Sequence, residues 1–396
     1  MRKIFLLFIL LSTLVYAREE GSISDAFSRG KVLGNLTLFN YNIDKKNEEN
    51  AYATALGGFL KYTTDNTRPL FGSARFHHSS AVGPYKNKEQ TLLFDNDNDA
   101  SSLTALSEAF IAYHHNNRVL KAGNVMLATP MMNDDTTRIV PWSYQGLAFT
   151  SESLLDTKLQ FNYITKIRSN TSAKYKKESA SGSFDKGISM LSANYEGINE
   201  LSLQSYYYHA PELYSTFIAQ LDYKHVFNTN LFCYGMQYFK SGKGGKYNNR
   251  LSSNGGDDID LLSFRFGIDE EKWALMLNYS QNFGLSGIVR GYGGLAQVYT
   301  TSMVANGRGN FKPETWMLKS RFDMEPLKFG QSEFAVWLTN TRVHDPRGSD
   351  FNAYYSHIRH YFNADASMYL RFESIDYLNE HKNDVNYLRL ITSYDF

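Results

Sequence analysis

The segment Leu159-Gln160-Phe161-Asn162-Tyr163-Ile164-Thr165-Lys166-Ile167 alternates in a way that decides the architecture. Successive side chains of an extended chain point to opposite sides. Leu159, Phe161, Tyr163, Thr165 and Ile167 therefore share one face, and Gln160, Asn162, Ile164 and Lys166 the other. The same period recurs at 261–268, where Leu262, Phe264, Phe266 and Ile268 oppose Ser263 and Arg265. It recurs again at 316–322, where Leu318 and Phe322 oppose Lys319 and Arg321. A face that carries lysine and arginine is too charged to be the inside of a sandwich.

Working outward from these stretches gives 18 strands, the first over 32–43 and the last over 384–396, or 16 if neighbouring boundaries merge. Connections at 115–117, 155–157, 198–199 and 228–230 are short, whereas those at 81–102, 129–144, 168–185, 241–258 and 284–314 are long. Short turns at one end and long loops at the other are the asymmetry of a transmembrane antiparallel β-barrel. Closure also leaves no unpaired edge. The all-β barrel is assigned to 32–396.

The 396 residues hold 41 Lys+Arg against 40 Asp+Glu, a net charge of +1, so the chain has no bulk attraction for nucleic acid. The sole cysteine, Cys233, excludes an internal disulfide and a cysteine-rich zinc site. Met1-Arg2-Lys3 is basic, Ile4 to Leu14 is largely apolar, and Val15-Tyr16-Ala17 offers small residues for cleavage, which predicts a signal peptide over 1–17. Its apolar run is about half of the roughly 20 residues a spanning helix needs. Residues 18–31 then form a short periplasmic segment. In the last strand Leu388, Leu390, Thr392, Tyr394 and Phe396 share a face, and the sequence closes on an aromatic residue. That ending resembles the signal read by the barrel-assembly machinery of Gram-negative bacteria, so Tyr394 and Phe396 are expected to serve assembly.

Patterns that suggest chemistry lead elsewhere. His77/Ser79 and His78/Ser80 have the His-x-Ser spacing of outer-membrane phospholipases, but Ala81-Val82 replaces the Asn-Gly that follows there. His344 and Asp345 are adjacent and would face opposite sides of a strand. Asp95-Asn96-Asp97-Asn98-Asp99 alternates oxygen ligands as calcium loops do, yet Ala100 stands where glycine is needed and Leu106 where glutamate is. The sequence predicts no catalytic residues, no cofactor and no resident metal, with weak calcium binding at 95–99 left open.

One block carries more. Leu103 to Tyr113 is followed by Val119-Leu120-Lys121-Ala122-Gly123-Asn124, and then by Ala128-Thr129-Pro130-Met131-Met132-Asn133-Asp134-Asp135-Thr136-Thr137-Arg138-Ile139-Val140-Pro141. Trp142-Ser143-Tyr144-Gln145-Gly146 completes it. This resembles the OprD family of outer-membrane porins, with its Thr-Pro loop, acidic-x-Arg segment, proline and aromatic-x-Gly return. The opening Ile23 to Val32 resembles the start of epsilonproteobacterial members. This chain departs in having Gly123-Asn124-Val125 for Gly-x-Gln, and two residues between Asp135 and Arg138 where the family has one. The resemblance implies a barrel of 18 strands in the Gram-negative outer membrane, protomers that can associate as homotrimers, and a third outer loop folded inward. That loop would place Asp134, Asp135 and Arg138 at a pore constriction.

If the apolar faces meet outer-membrane lipid, then Arg265, Lys319, Arg321, Arg359, Arg371 and Arg389 face the lumen. An arginine at the bilayer midplane would cost about 2–4 kcal/mol. The family lines one wall with such a basic ladder for carboxylate-bearing solutes. Asp269, Asp323 and Glu373 share faces with Arg265, Arg321 and Arg371, and would offset part of the ladder. Leu295 to Met303 is too apolar for a wholly exposed loop and is predicted to pack at the mouth or dip inside. The expected function is passive diffusion of small hydrophilic solutes, anionic or zwitterionic. The alternatives are a general or cation-preferring porin, and an adhesin on a plugged barrel.

Overall fold

The computed structural model describes residues 23–243, 258–288, 290–305, 312–327, 330–378 and 384–396; the expected signal peptide lies outside them. A short helix, α1 (Ile23–Ser28), leads into the first strand. The first nine strands are β1 (Lys31–Lys45), β2 (Ala51–Thr63), β3 (Leu70–Ala81), β4 (Ser102–His115), β5 (Arg118–Val125), β6 (Ser143–Leu154), β7 (Thr157–Arg168), β8 (Ile188–Ile198) and β9 (Leu201–His209). The second nine are β10 (Tyr214–Phe227), β11 (Asn230–Lys243), β12 (Asp260–Asp269), β13 (Trp273–Asn282), β14 (Pro313–Asp323), β15 (Ser332–Val343), β16 (Phe351–Tyr361), β17 (Ala366–Tyr377) and β18 (Val385–Asp395). Each pairs antiparallel with its sequence neighbours, and β18 pairs back onto β1 from Asn35↔Asp395 to Lys45↔Val385. The 18-stranded barrel is closed, as its sequence predicts.

Alternation sorts the side chains. Leu36, Leu60, Phe264, Phe266, Leu318, Leu370, Phe372 and Leu390 are exposed on the outer wall, where lipid replaces water. Their neighbours point inward, and two buried clusters fill part of the lumen where outer loops fold onto the wall.

Two β-bulges change the parity. Thr165 is extra on β7, because Lys166 pairs with Gln145 and Ile164 with Gly146. Ile167 is consequently buried, not on the lipid face with Phe161 and Tyr163 as strict alternation predicts. Ser107 is extra on β4, because Glu108 pairs with Arg75 and Leu106 with Phe76. The shift turns Glu108 inward.

The C-terminus closes the seam. The amide of Phe396 donates to the Gly34 carbonyl at 3.0 Å and the Gly34 amide to the Phe396 carbonyl at 2.7 Å. The Phe396 ring covers Gly34, lying where a side chain on residue 34 would stand. Phe396 is 62% exposed on the outer wall and stacks at 6.4 Å on Tyr394.

Candidate pore constriction

The third outer loop, 126–142, folds inward. Its start is a short hairpin in which Ala128 and Thr129 pair with Asn133 and Met132, with Met131 and Met132 fully buried. Pro130 and Pro141 bracket the segment, and neither can donate a ladder hydrogen bond. Their carbonyls are used instead: Gln297 donates to Pro130 at 3.0 Å, and Arg168 donates to Pro141 at 2.6 Å. The Asn133 side chain donates to the Leu295 carbonyl at 2.7 Å and accepts from the Leu295 amide at 3.0 Å. The third loop is thereby fastened to the long seventh loop, whose residues Ala296, Val298, Tyr299 and Met303 are buried inside the barrel. This agrees with the inward path expected of 295–303.

Arg138 stands at a neck. A cavity of about 390 Å³ is lined by Tyr41, Lys45, Asp135, Arg138, Arg290 and Arg389, among others. A second, of about 280 Å³, is lined by Phe39, Arg75, His77, Asp134 and Arg138. The cavities take successive inward residues of the same strands, Tyr41 then Phe39 and Arg389 then Ile391, so they are stacked along the barrel with Arg138 between them. Arg138 donates to the Thr91 carbonyl of the second outer loop at 3.0 Å and to the Thr137 carbonyl at 2.9 Å, and lies 5.1 Å from the Tyr41 ring centre. Among the described residues it forms no ion pair with Asp134 or Asp135. Asp135, at a left-handed φ of 45°, accepts instead from Thr137 at 2.7 Å. Burial raises the Asp134 carboxyl above the usual carboxylate range.

The six expected ladder residues all face inward, but in two different settings. Arg265 pairs with Asp222 at 2.5 Å and lies 4.5 Å from the Tyr299 ring centre. Arg321 pairs with Asp269 at 3.0 Å. Lys319 donates to the Thr301 carbonyl at 3.1 Å and sits over Trp337. By contrast Arg371 donates to the Tyr355 hydroxyl at 3.0 Å, and Arg389 to the Tyr41 hydroxyl at 2.9 Å. Arg359 lies over Tyr361 and Tyr369. None of these three has an ion-pair partner among the described residues. Arg389 is 1% exposed, and its Nε and Nη1 have no hydrogen-bond partner.

The feared cancellation takes another form. Asp269 neutralises Arg321, not Arg265; Asp323 accepts from the Glu325 amide at 2.9 Å and caps a turn; Glu373 accepts from loop residues. Sequence reading did not single out Lys45 and Arg290, which share the larger cavity, or the opposite cluster in which Glu108 pairs with Arg75 at 2.7 Å and Lys61 at 3.2 Å. The inward parity of Lys45, Lys61 and Arg75 was there to be read; that of Glu108 was hidden by the bulge.

The set-aside motifs have structural partners. His77 meets Ser107 at 2.7 Å, not Ser79. Asp97 binds Lys176 at 2.7 Å, Asp99 binds Lys88 at 3.0 Å, and Asp95 accepts from Asp97 and Asn98 within its own turn.

Residues 82–345 match the family described as outer membrane porin, OprD family. Among solved structures, OccK8 (OprE) of Pseudomonas aeruginosa superposes with a TM-score of 0.79 at 17% identity, covering 94% of this chain and 99% of that one. OccAB2 of Acinetobacter baumannii gives 0.80 at 16% identity, over 94% and 99%. OpdK of Pseudomonas aeruginosa, solved with vanillate, gives 0.78 at 17% identity, over 92% and 98%. No curated protein sequence matches the chain.

Proposed function

Because this chain belongs to the OprD family of outer membrane porins, channels of the Gram-negative outer membrane that pass small solutes, we propose that it favours anionic and zwitterionic solutes and catalyses no reaction on them. One observation carries the reading. Arg138 occupies the neck between two stacked cavities, and Lys45, Arg290 and Arg389 line the larger of them with it. The half-buried Arg138 guanidinium at that neck offers a solute carboxylate the planar, charge-assisted contact that arginine makes best. Asp135 on the same cavity supplies a carboxylate for the ammonium group of a zwitterion.

In this reading Asp134, Asp135 and Arg138 form the constriction, and Arg371 and Arg389 are the effective part of the ladder. Phe396 with Tyr394 is proposed as the assembly signal, and homotrimer association is proposed on the family likeness alone. The reading is tested in planar bilayers and by liposome swelling. A salt gradient should give a reversal potential on the anion side, and carboxylate solutes should enter faster than neutral sugars of similar size. A reversal potential on the cation side would favour a cation-preferring pore, in which the inward carboxylates Asp222, Asp269 and Glu333 dominate.

A further inference from the structure

Glu373 is fully buried on the inward face of β17, yet it makes no ion pair among the described residues. Its oxygens are all spent on the seventh loop. Oε1 accepts from the Ser302 hydroxyl, and Oε2 from the amides of Val304 at 2.5 Å and Ala305 at 3.1 Å. These donors satisfy the buried carboxyl group without a cation.

The loop reaches Glu373 along a defined path. The Tyr292 hydroxyl donates to the Tyr214 carbonyl on β10 at 2.8 Å, the Tyr299 amide to Gln237 on β11 at 3.1 Å, and Thr300 meets Ser280 on β13 at 2.6 Å. Lys319 on β14 then holds the Thr301 carbonyl. The segment thus passes in front of β10 to β14 like a belt, and Glu373 holds its far end across β15 and β16. Leu295, Met303 and Val304 of this belt line the larger cavity together with Arg138 and Arg389.

We propose that Glu373 is a positioning residue that fixes the width of the channel by pinning residues 302–305 to the wall. The inference rests on the channel reading above, since its test needs a conducting pore. If the carboxylate acts as a counter-charge, Glu373→Gln shifts the reversal potential toward anions and leaves conductance and current noise as in the wild type. If it acts as the anchor, Glu373→Gln shifts single-channel conductance to higher, fluctuating values.

Val304→Pro removes one of the donors from the loop side without altering the barrel wall, and should give the same fluctuating, larger conductance. A third measurement restores the link. With Cys233 replaced by Ser, Ser302→Cys and Glu373→Cys are joined by a short bifunctional thiol reagent, which should return the enlarged conductance to the wild-type level. Barrel folding is verified in each case by heat-modifiable mobility on gels. Folded Glu373→Gln and Val304→Pro channels with wild-type conductance and noise would overturn the proposal, as would cross-linking that goes to completion without narrowing the pore. A wild-type protein silent in bilayers would instead defeat the channel reading itself.

Discussion

On β10 to β14 the inward arginines Arg265 and Arg321 each meet a carboxylate, whereas on β17 and β18 Arg371 and Arg389 lie against tyrosines. An arginine paired at 2.5–3.0 Å with an aspartate presents a dipole to a passing ion. One stacked on a tyrosine ring keeps its full charge and is held by a cation–π contact worth about 0.5–2 kcal/mol. Arg371 and Arg389 are moreover directly opposite in register, an arrangement that like charges disfavour. Each guanidinium turns to its own tyrosine, Tyr355 or Tyr41. The comparison teaches that an inward direction makes a residue part of the lumen, and that its cross-strand partner decides whether it contributes to the field.

The largest expected effect comes from removing the uncompensated charges. At about 5 Å a unit charge acts on an ion with roughly 1 kcal/mol even at the dielectric constant of water. Arg371→Gln with Arg389→Gln should therefore lower the anion-to-cation permeability ratio by about an order of magnitude. Reversal potentials in a salt gradient measure it, and carboxylate uptake should fall more than sugar uptake. An intermediate effect follows from exposing a masked charge. Asp222→Asn leaves Arg265 without its carboxylate and should move the reversal potential toward anions, by a few-fold in permeability ratio.

Screening gives a smaller test of the same contrast. The Debye length falls from about 8 Å at physiological salt to about 3 Å at 1 M. The wild-type anion preference should shrink with rising salt, and the difference between the Arg371/Arg389 variant and the wild type should shrink with it. The smallest expected effect is that of Tyr355→Phe, which removes the hydroxyl from Arg371 but leaves the ring. It should change the permeability ratio by less than about twofold, because Arg371 keeps both its charge and its place over the Tyr355 and Tyr369 rings.

Much of the barrel was legible because period 2 is written into each strand, and the 18 stretches read from alternation correspond to the 18 strands formed. What strict alternation cannot register is an extra residue, and so it puts Ile167 on the wrong face and hides the inward direction of Glu108. The inward direction of Arg371 and Arg389 was legible for the same reason as the strands. Their partners were not. Arg265 meets a carboxylate 43 residues away and Arg321 one 52 residues away, and both contacts depend on register, not on neighbours in sequence. Shared strand faces assign Asp269 to Arg265 and Glu373 to Arg371, whereas Asp269 pairs with Arg321 and the Glu373 oxygens accept from the seventh loop. Arg290 and the Thr91 carbonyl, which complete the surroundings of Arg138, sit on loops that have no periodicity to read.

The claim that partners, not directions, set the permeation field is tested most directly by one pair of reversal-potential measurements on folded channels. Asp222→Asn with Arg265→Gln removes a neutral pair, and Arg371→Gln with Arg389→Gln removes two uncompensated cations. The account predicts the wild-type reversal potential for the first variant and a marked shift toward cations for the second. A shift in the first that equals or exceeds that in the second would contradict it.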